Sequence, residues 1–178
     1  MSDRLARLRA ALTANELDAC LINEAANRRY LSGFSGSNGW LFITADSATL
    51  ITDGRYIEQA QQECPGFAVL KLARGQDVEG FRRLLEPFRH KRVALESDHI
   101  TLEQWRRWFQ PLDVDWAFTT GLVEGLRAQK EAGEFLAHVA EGMPGPRGVI
   151  PSDAVVVRSP HLDALLDGWG VDDIARLV

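Results

Sequence analysis

Apolar residues along this chain recur first at helical spacing and then in short unbroken runs, and the alternation continues as far as residue 118. Over residues 3–15, Leu5, Leu8, Ala11 and Leu12 share one face while Arg4, Arg7 and Arg9 lie away from it. That spacing predicts an amphipathic helix with Ser2 as its N-cap. Ala19-Cys20-Leu21-Ile22 predicts a short buried strand, and residues 23–30 a turn of helix. The apolar runs 40–44 and 48–52, split by Ala45-Asp46-Ser47, predict the two strands of a hairpin. Residues 56–63 read as helix, stopped by Pro65-Gly66.

The second half continues the alternation. Residues 67–72 predict a strand, and Asp77 caps a helix over 78–88 in which Val78, Phe81, Leu84, Leu85 and Phe88 recur at helical spacing. A strand over 93–95 follows. Thr101 and Gln104 have the spacing of a capping box, opening a helix that carries Leu102, Trp105, Trp108 and Phe109. Residues 113–118 form the last predicted strand. Helices alternating with strands after a hairpin imply a mixed sheet covered on both faces.

Composition changes this picture little. The 178 residues suit one domain with a core of its own, and 46% hydrophobic with 25% charged residues is ordinary for a globular protein. A net charge of −5 gives no electrostatic reason to expect nucleic acid or an anionic membrane as a partner. Cys20 and Cys64, each in or beside an apolar segment, read as buried thiols. No run is long and apolar enough to span a bilayer, and no signal-peptide core is seen, so a cytoplasmic protein is expected.

The chemistry-bearing residues gather at the hairpin. Tyr30-Leu31-Ser32-Gly33-Phe34-Ser35-Gly36-Ser37-Asn38-Gly39 leads into it and Thr52-Asp53-Gly54-Arg55-Tyr56 leaves it. This pair of motifs resembles the N-terminal domain of the Xaa-Pro aminopeptidase, prolidase and creatinase family, and the likeness runs from Arg4 to about Lys130. The resemblance implies a three-layer α/β/α unit with a mixed, ribonuclease-H-like sheet over residues 1–120. It also implies the start of a linker helix over 121–133. Residues 134–178, with Pro144, Pro146, Pro151 and Pro160, form a divergent tail that does not match the family.

In that family the chemistry uses two divalent metal ions, such as manganese, held by two aspartates, one histidine and two glutamates in a second, catalytic domain. Bridging carboxylates hold the ions close, and the ions turn a shared water into a nucleophile at neutral pH. The residues after Lys130 are too few to build such a domain. His138, His161, Asp153, Asp163, Asp167, Asp172 and Asp173 show no ligand spacing. The expectation is no catalytic residue, no metal site and no cofactor in this chain.

Ser35 and Ser37 both miss the Gly-x-Ser-x-Gly elbow, because Ser37 and Ser35 stand where glycines are needed. The resemblance offers another role for Phe34, Ser35, Gly36, Ser37 and Asn38, since in several family members one subunit's loop reaches the rim of its partner's active site. The alternative is a loop that only turns the chain into the hairpin. For Asp53, Arg55 and Tyr56 two readings likewise stand: a carboxylate–guanidinium pair that locks a turn, or an arginine reaching a carboxylate on a substrate or subunit. His90 and His99 read as exposed, and Trp105, Trp108, Phe109 and Trp116 as packing. The expected function is a non-catalytic N-terminal domain, a truncated or separately encoded copy, that assists assembly or active-site access in a homodimer or a catalytic metallopeptidase chain. A stand-alone peptide- or protein-binding module is the alternative.

Overall fold

A computed structural model describes residues 2–73 and 77–128, which belong to one compact unit. The readings made for the tail, 134–178, and for the end of the linker lie outside the described residues.

Six strands form one sheet: β1 (Ala19–Ile22), β2 (Trp40–Thr44), β3 (Ala48–Thr52), β4 (Ala68–Lys71), β5 (Arg92–Glu96) and β6 (Asp115–Thr119), in spatial order β4-β3-β2-β1-β5-β6. Only β2 runs against the rest, pairing antiparallel with β1 and β3. The pairs β3–β4, β1–β5 and β5–β6 are parallel. Because β1, β3, β4, β5 and β6 share a direction, their carboxyl ends gather along one edge of the sheet.

Strand alternation divides the core in two. Cys20, Ile22, Leu41, Ile43, Leu50 and Ala94 face one layer, built from α1 (Ser2–Ala14), α2 (Ala25–Ser32), α3 (Ile57–Glu63) and a helix over 122–128, α6. Ala19, Leu21, Trp40, Phe42, Ile51, Val93 and Leu95 face the other, where α4 (Asp77–Leu85) packs beside a helical segment begun by α5 (Leu102–Gln104). These are the three layers and mixed sheet that the periodicity and the resemblance both implied. Side chains pointing to opposite faces at successive positions are what allow one strand to serve two cores.

Three local readings change or gain detail. Ser2 is the first helical residue of α1 rather than its cap. The arginines of α1, placed by spacing only as lying away from the apolar face, are half-buried donors: Arg4 donates to the Tyr30 carbonyl at 2.6 Å, Arg7 to Leu126 at 3.2 Å and Arg9 to Thr44 at 2.9 Å. Their stems cover the helix flank while their heads saturate carbonyls of three neighbouring elements, which helical spacing alone does not reveal. After Thr101 the capping box forms, but the helix makes one α turn and widens into a π turn over Trp105–Phe109. There the Gln110 N–H reaches the Trp105 carbonyl at 2.9 Å. Trp105, Trp108, Phe109 and Trp116 do pack together, edge to face.

Candidate functional site

α2 is closed at both ends by local chemistry. Glu24 caps its start by accepting from the Asn27 N–H. Gly33 ends it in the left-handed region at φ 85°, donating to the Arg29 carbonyl. A left-handed C-terminal residue is inexpensive only for glycine. The chain leaves Gly33 straight into the loop 33–39.

That loop is built from below. Phe34 is buried, meeting Tyr56 edge-on with ring centroids 6.0 Å apart. Arg28, also buried, donates to the carbonyls of Asn23 and of Gly36, the latter at 3.1 Å. Its guanidinium therefore ties the end of β1 to the crest of the loop. Burial lowers its pKa while the charges of Glu24 and Glu96 oppose that change. Ser35, Ser37 and Asn38 remain exposed on the crest.

Each exposed side chain has a partner. Ser35 donates from its N–H and its hydroxyl to the two oxygens of Glu63, both at 2.8 Å. Gln59, one turn earlier in α3, donates to the Ser35 hydroxyl at 2.9 Å and to Glu63 at 3.0 Å. Ser35's N–H, Gln59 and the Ser35 hydroxyl together hold the Glu63 carboxyl below its ordinary value. The hydroxyls of Ser37 and Tyr56 are 2.7 Å apart. Neither serine meets an imidazole among the described residues, so no nucleophile is assembled.

Asp53 and Arg55 form the tightest arrangement. One Asp53 oxygen accepts from the Arg55 N–H at 2.9 Å and its Nε at 3.0 Å; the other accepts from Arg55 Nη2 and Asn38 Nδ2, both at 2.8 Å. Asp53 thus caps the 3-10 turn Gly54–Tyr56 and pins the loop to the end of β3. Arg55 above all, then Asn38, keep the Asp53 carboxyl well below the usual carboxylate range. Four donors leave this carboxylate no lone pair for a metal. Among the described residues, no three His, Cys, Asp or Glu side chains come together in a way that could hold an ion. The family's metal pair therefore does not fit these residues.

The sequence-based candidates thus separate. Phe34 and Gly36 are buried within the described unit. Ser35, Ser37 and Asn38 stay together at the surface, stitched to Glu63, Tyr56 and Asp53. Arg28, Glu63 and Gln59 were missed; the only available signal was the four-residue spacing of Gln59 and Glu63, which places both on one face of a helix. His99 is exposed, as expected, and its carbonyl accepts from Asn23 Nδ2 at 2.8 Å.

A second cluster lies behind α2. Glu96, buried at the end of β5, accepts from the N–H groups of Asn23 and Glu24 at 2.7 and 2.8 Å and from Asn27 Nδ2 at 2.7 Å. Asn27 Nδ2 also donates to Glu124 at 2.7 Å, and Arg127 donates to its oxygen at 3.1 Å. Burial raises the Glu96 carboxyl above its ordinary value despite those donors. One buried asparagine thereby joins β5, α2 and α6.

Beside the loop opens a cleft of about 930 Å³, at the carboxyl ends of β1, β3 and β4. Trp40, Phe81 and Trp108 form its aromatic wall, with Asn38, Arg55 and Gln104 among its polar lining. Ligands of open α/β sheets bind at this end of the strands.

A family model described as the Creatinase/Prolidase N-terminal domain matches residues 4–129. Among curated relatives, the chain is 31% identical over 133 residues to an uncharacterized peptidase, YqhT, of Bacillus subtilis. It is 29% identical over 137 residues to a putative Xaa-Pro aminopeptidase of Mycoplasma pneumoniae. These alignments cover 74% and 77% of this chain but 37% of each relative, so the chain spans little more than a third of their length. Among solved structures it is similar to the N-terminal domain of the cytoplasmic peptidase PepQ from Mycobacterium tuberculosis. There the identity is 35% and the TM-score 0.62, with 70% of this chain and 98% of that one covered.

Proposed function

The chain belongs to the creatinase/prolidase N-terminal domain family, and from that premise we propose that it acts as a non-catalytic domain of an Xaa-Pro-type metallopeptidase assembly. Its loop 33–39 borders the active site of a partner, either a second copy or a catalytic chain. The observation that carries this reading is the construction of the loop. Ser35, Ser37 and Asn38 are exposed yet held by Glu63, Tyr56 and Asp53 above a buried Phe34 and Arg28. A crest held by its own side-chain partners loses little conformational entropy on docking. The unit that carries the loop includes α6, whose Val123 is buried with α1 and α2. A cytoplasmic setting agrees with two free, buried cysteines and with the similarity to a cytoplasmic peptidase.

The test is hydrolysis of an Xaa-Pro peptide by the purified chain, with and without manganese, alone and mixed with a catalytic Xaa-Pro metallopeptidase chain. No turnover alone is expected. In the mixture, KM should change, and Ser37→Ala with Asn38→Ala should abolish that change. Metal-dependent turnover that follows the isolated chain through purification would overturn the reading. A second reading, a stand-alone module that binds polypeptides, is favoured by one observation: the aromatic-walled cleft.

A further inference from the structure

The Asp53–Arg55 pair leaves an unused edge. All four lone-pair directions of Asp53 are occupied by Arg55 and Asn38, so its charge is spent within the turn. Arg55 gives Nε and Nη2 to that carboxylate. Its Nη1 makes no hydrogen bond among the described residues, and its side chain is 71% exposed at the mouth of the cleft. A guanidinium edge of this kind is a carboxylate receptor.

The cleft wall behind it offers other valences. Gln104 Oε1 accepts from Thr101, but its Nε2 has no acceptor among the described residues. Asn38 and Asn23 use their Nδ2 groups on Asp53 and His99, and their Oδ1 atoms accept nothing there. One free donor and two free acceptors match the alternating N–H and C=O groups of an extended backbone. Deeper in, Trp108 stacks on Phe81 at 5.9 Å and 21°, and Trp40 meets both rings at 5.5 and 6.3 Å. That wall suits an aromatic side chain.

We propose that this cleft binds the carboxy-terminal end of a polypeptide whose last residue is aromatic, with the terminal carboxylate on Arg55 Nη1 and the ring against Trp108. A carboxy-terminal end always brings a carboxylate to the guanidinium, an internal segment only through Asp or Glu, and an ammonium finds no acceptor on Nη1. The cleft's volume of about 930 Å³ lies within the ordinary range of ligand sites. Capture of a chain end by a fixed cationic donor and backbone-like partners is a recurrent recognition mode. The site needs no catalytic partner. It therefore stands or falls independently of the role proposed above for the loop.

The test uses the full chain and a pentapeptide ending in phenylalanine, as free acid and as carboxy-terminal amide. Affinity is read by calorimetry, and the position of binding by amide and indole NMR shifts. The acid should bind saturably and about tenfold or more tighter than the amide, as expected for loss of a charged hydrogen bond. Arg55→Gln should erase the difference between the two peptides, and Trp108→Ala should weaken both. Shifts should map to Trp108, Asn38 and Gln104, and the far-ultraviolet spectrum of Arg55→Gln should match the wild type, showing an intact fold. Equal binding of acid and amide, an acid preference that survives Arg55→Gln, shifts confined to the exposed Leu102 and Phe118, or no binding at millimolar peptide would each overturn the proposal.

Discussion

The crest of the loop depends on one steric relation, which a double-mutant cycle can isolate. A Cβ placed on Gly36 would lie 2.3 Å from Phe34 Cζ and 2.9 Å from both Cε atoms of the same ring. Those three are the atoms nearest to it, and the ring is 1% exposed, so it has nowhere to swing. Gly36 is not in the left-handed region, unlike Gly33 and Gly121, so alanine there carries no backbone strain. Gly36→Ala should therefore cost about 1–3 kcal/mol through overpacking alone. Phe34→Ala should cost about 3–5 kcal/mol, the range for an aromatic truncated in a core. In the Phe34→Ala background the clash is gone. Gly36→Ala should then be neutral, or stabilising by up to about 1 kcal/mol through the restricted unfolded chain. The expected coupling is about 1–4 kcal/mol, well above the roughly 0.5 kcal/mol scatter of independent sites. Urea unfolding of the four proteins, followed by circular dichroism, measures it. Additive costs would refute the idea that Phe34 sets the shape of the crest, as would a Phe34→Ala cost under about 1.5 kcal/mol.

Three further outcomes follow from the buried and paired carboxylates. Glu96, raised above its ordinary 4.5, keeps its proton in the fold at pH values where the unfolded chain has lost it. Its contribution is complete below that value and is lost as pH rises through the folded pKa, so stability should fall with pH there. Glu96→Gln should flatten that part of the curve in urea titrations from pH 4 upward, and an unchanged slope would contradict it. Asp53 has the opposite sign: its carboxyl lies below the ordinary 3.8, held chiefly by Arg55, so its contribution is present above that value and lost only on strong acidification. The carboxyl carbon shift of Asp53 should titrate below 3.8, and Arg55→Gln should move the midpoint upward. Asn27→Ala strips Glu96 and Glu124 of a shared donor, and should cost about 1.5–3 kcal/mol. Hydrogen exchange should also quicken over 122–128; unchanged protection there would show that α6 does not depend on Asn27.

Sequence and structure divide this protein unevenly. The element order was legible because each element carries its own period: Leu5, Leu8 and Leu12 in α1, the two runs of the hairpin, and the Thr101–Gln104 box. The Asp53–Arg55 turn was legible too, because its partners lie two positions apart, whereas Ser35 and Ser37 find theirs in Glu63 and Tyr56, 28 and 19 positions away. Phe34 was not, since nothing local distinguishes a loop aromatic at a rim from one folded back beneath it. The acceptors of Arg4, Arg7 and Arg9 were hidden for the same reason, lying in elements remote in sequence.

What the amino-acid sequence by itself determined is the set of helices and strands, the mixed α/β class and the family, all of which rest on short-range spacing and local motifs. The tertiary structure alone decided the rest: which carbonyls Arg28 reaches, that Asn27 joins three elements, that α5 widens into a π turn, and that Trp40, Phe81 and Trp108 share a cleft with Arg55. The Asn27 junction and the cleft join residues tens of positions apart, whereas Arg28 reaches across eight positions and the π turn spans five. Long-range contacts depend on how the two layers pack against the sheet, and no periodicity in the chain records that.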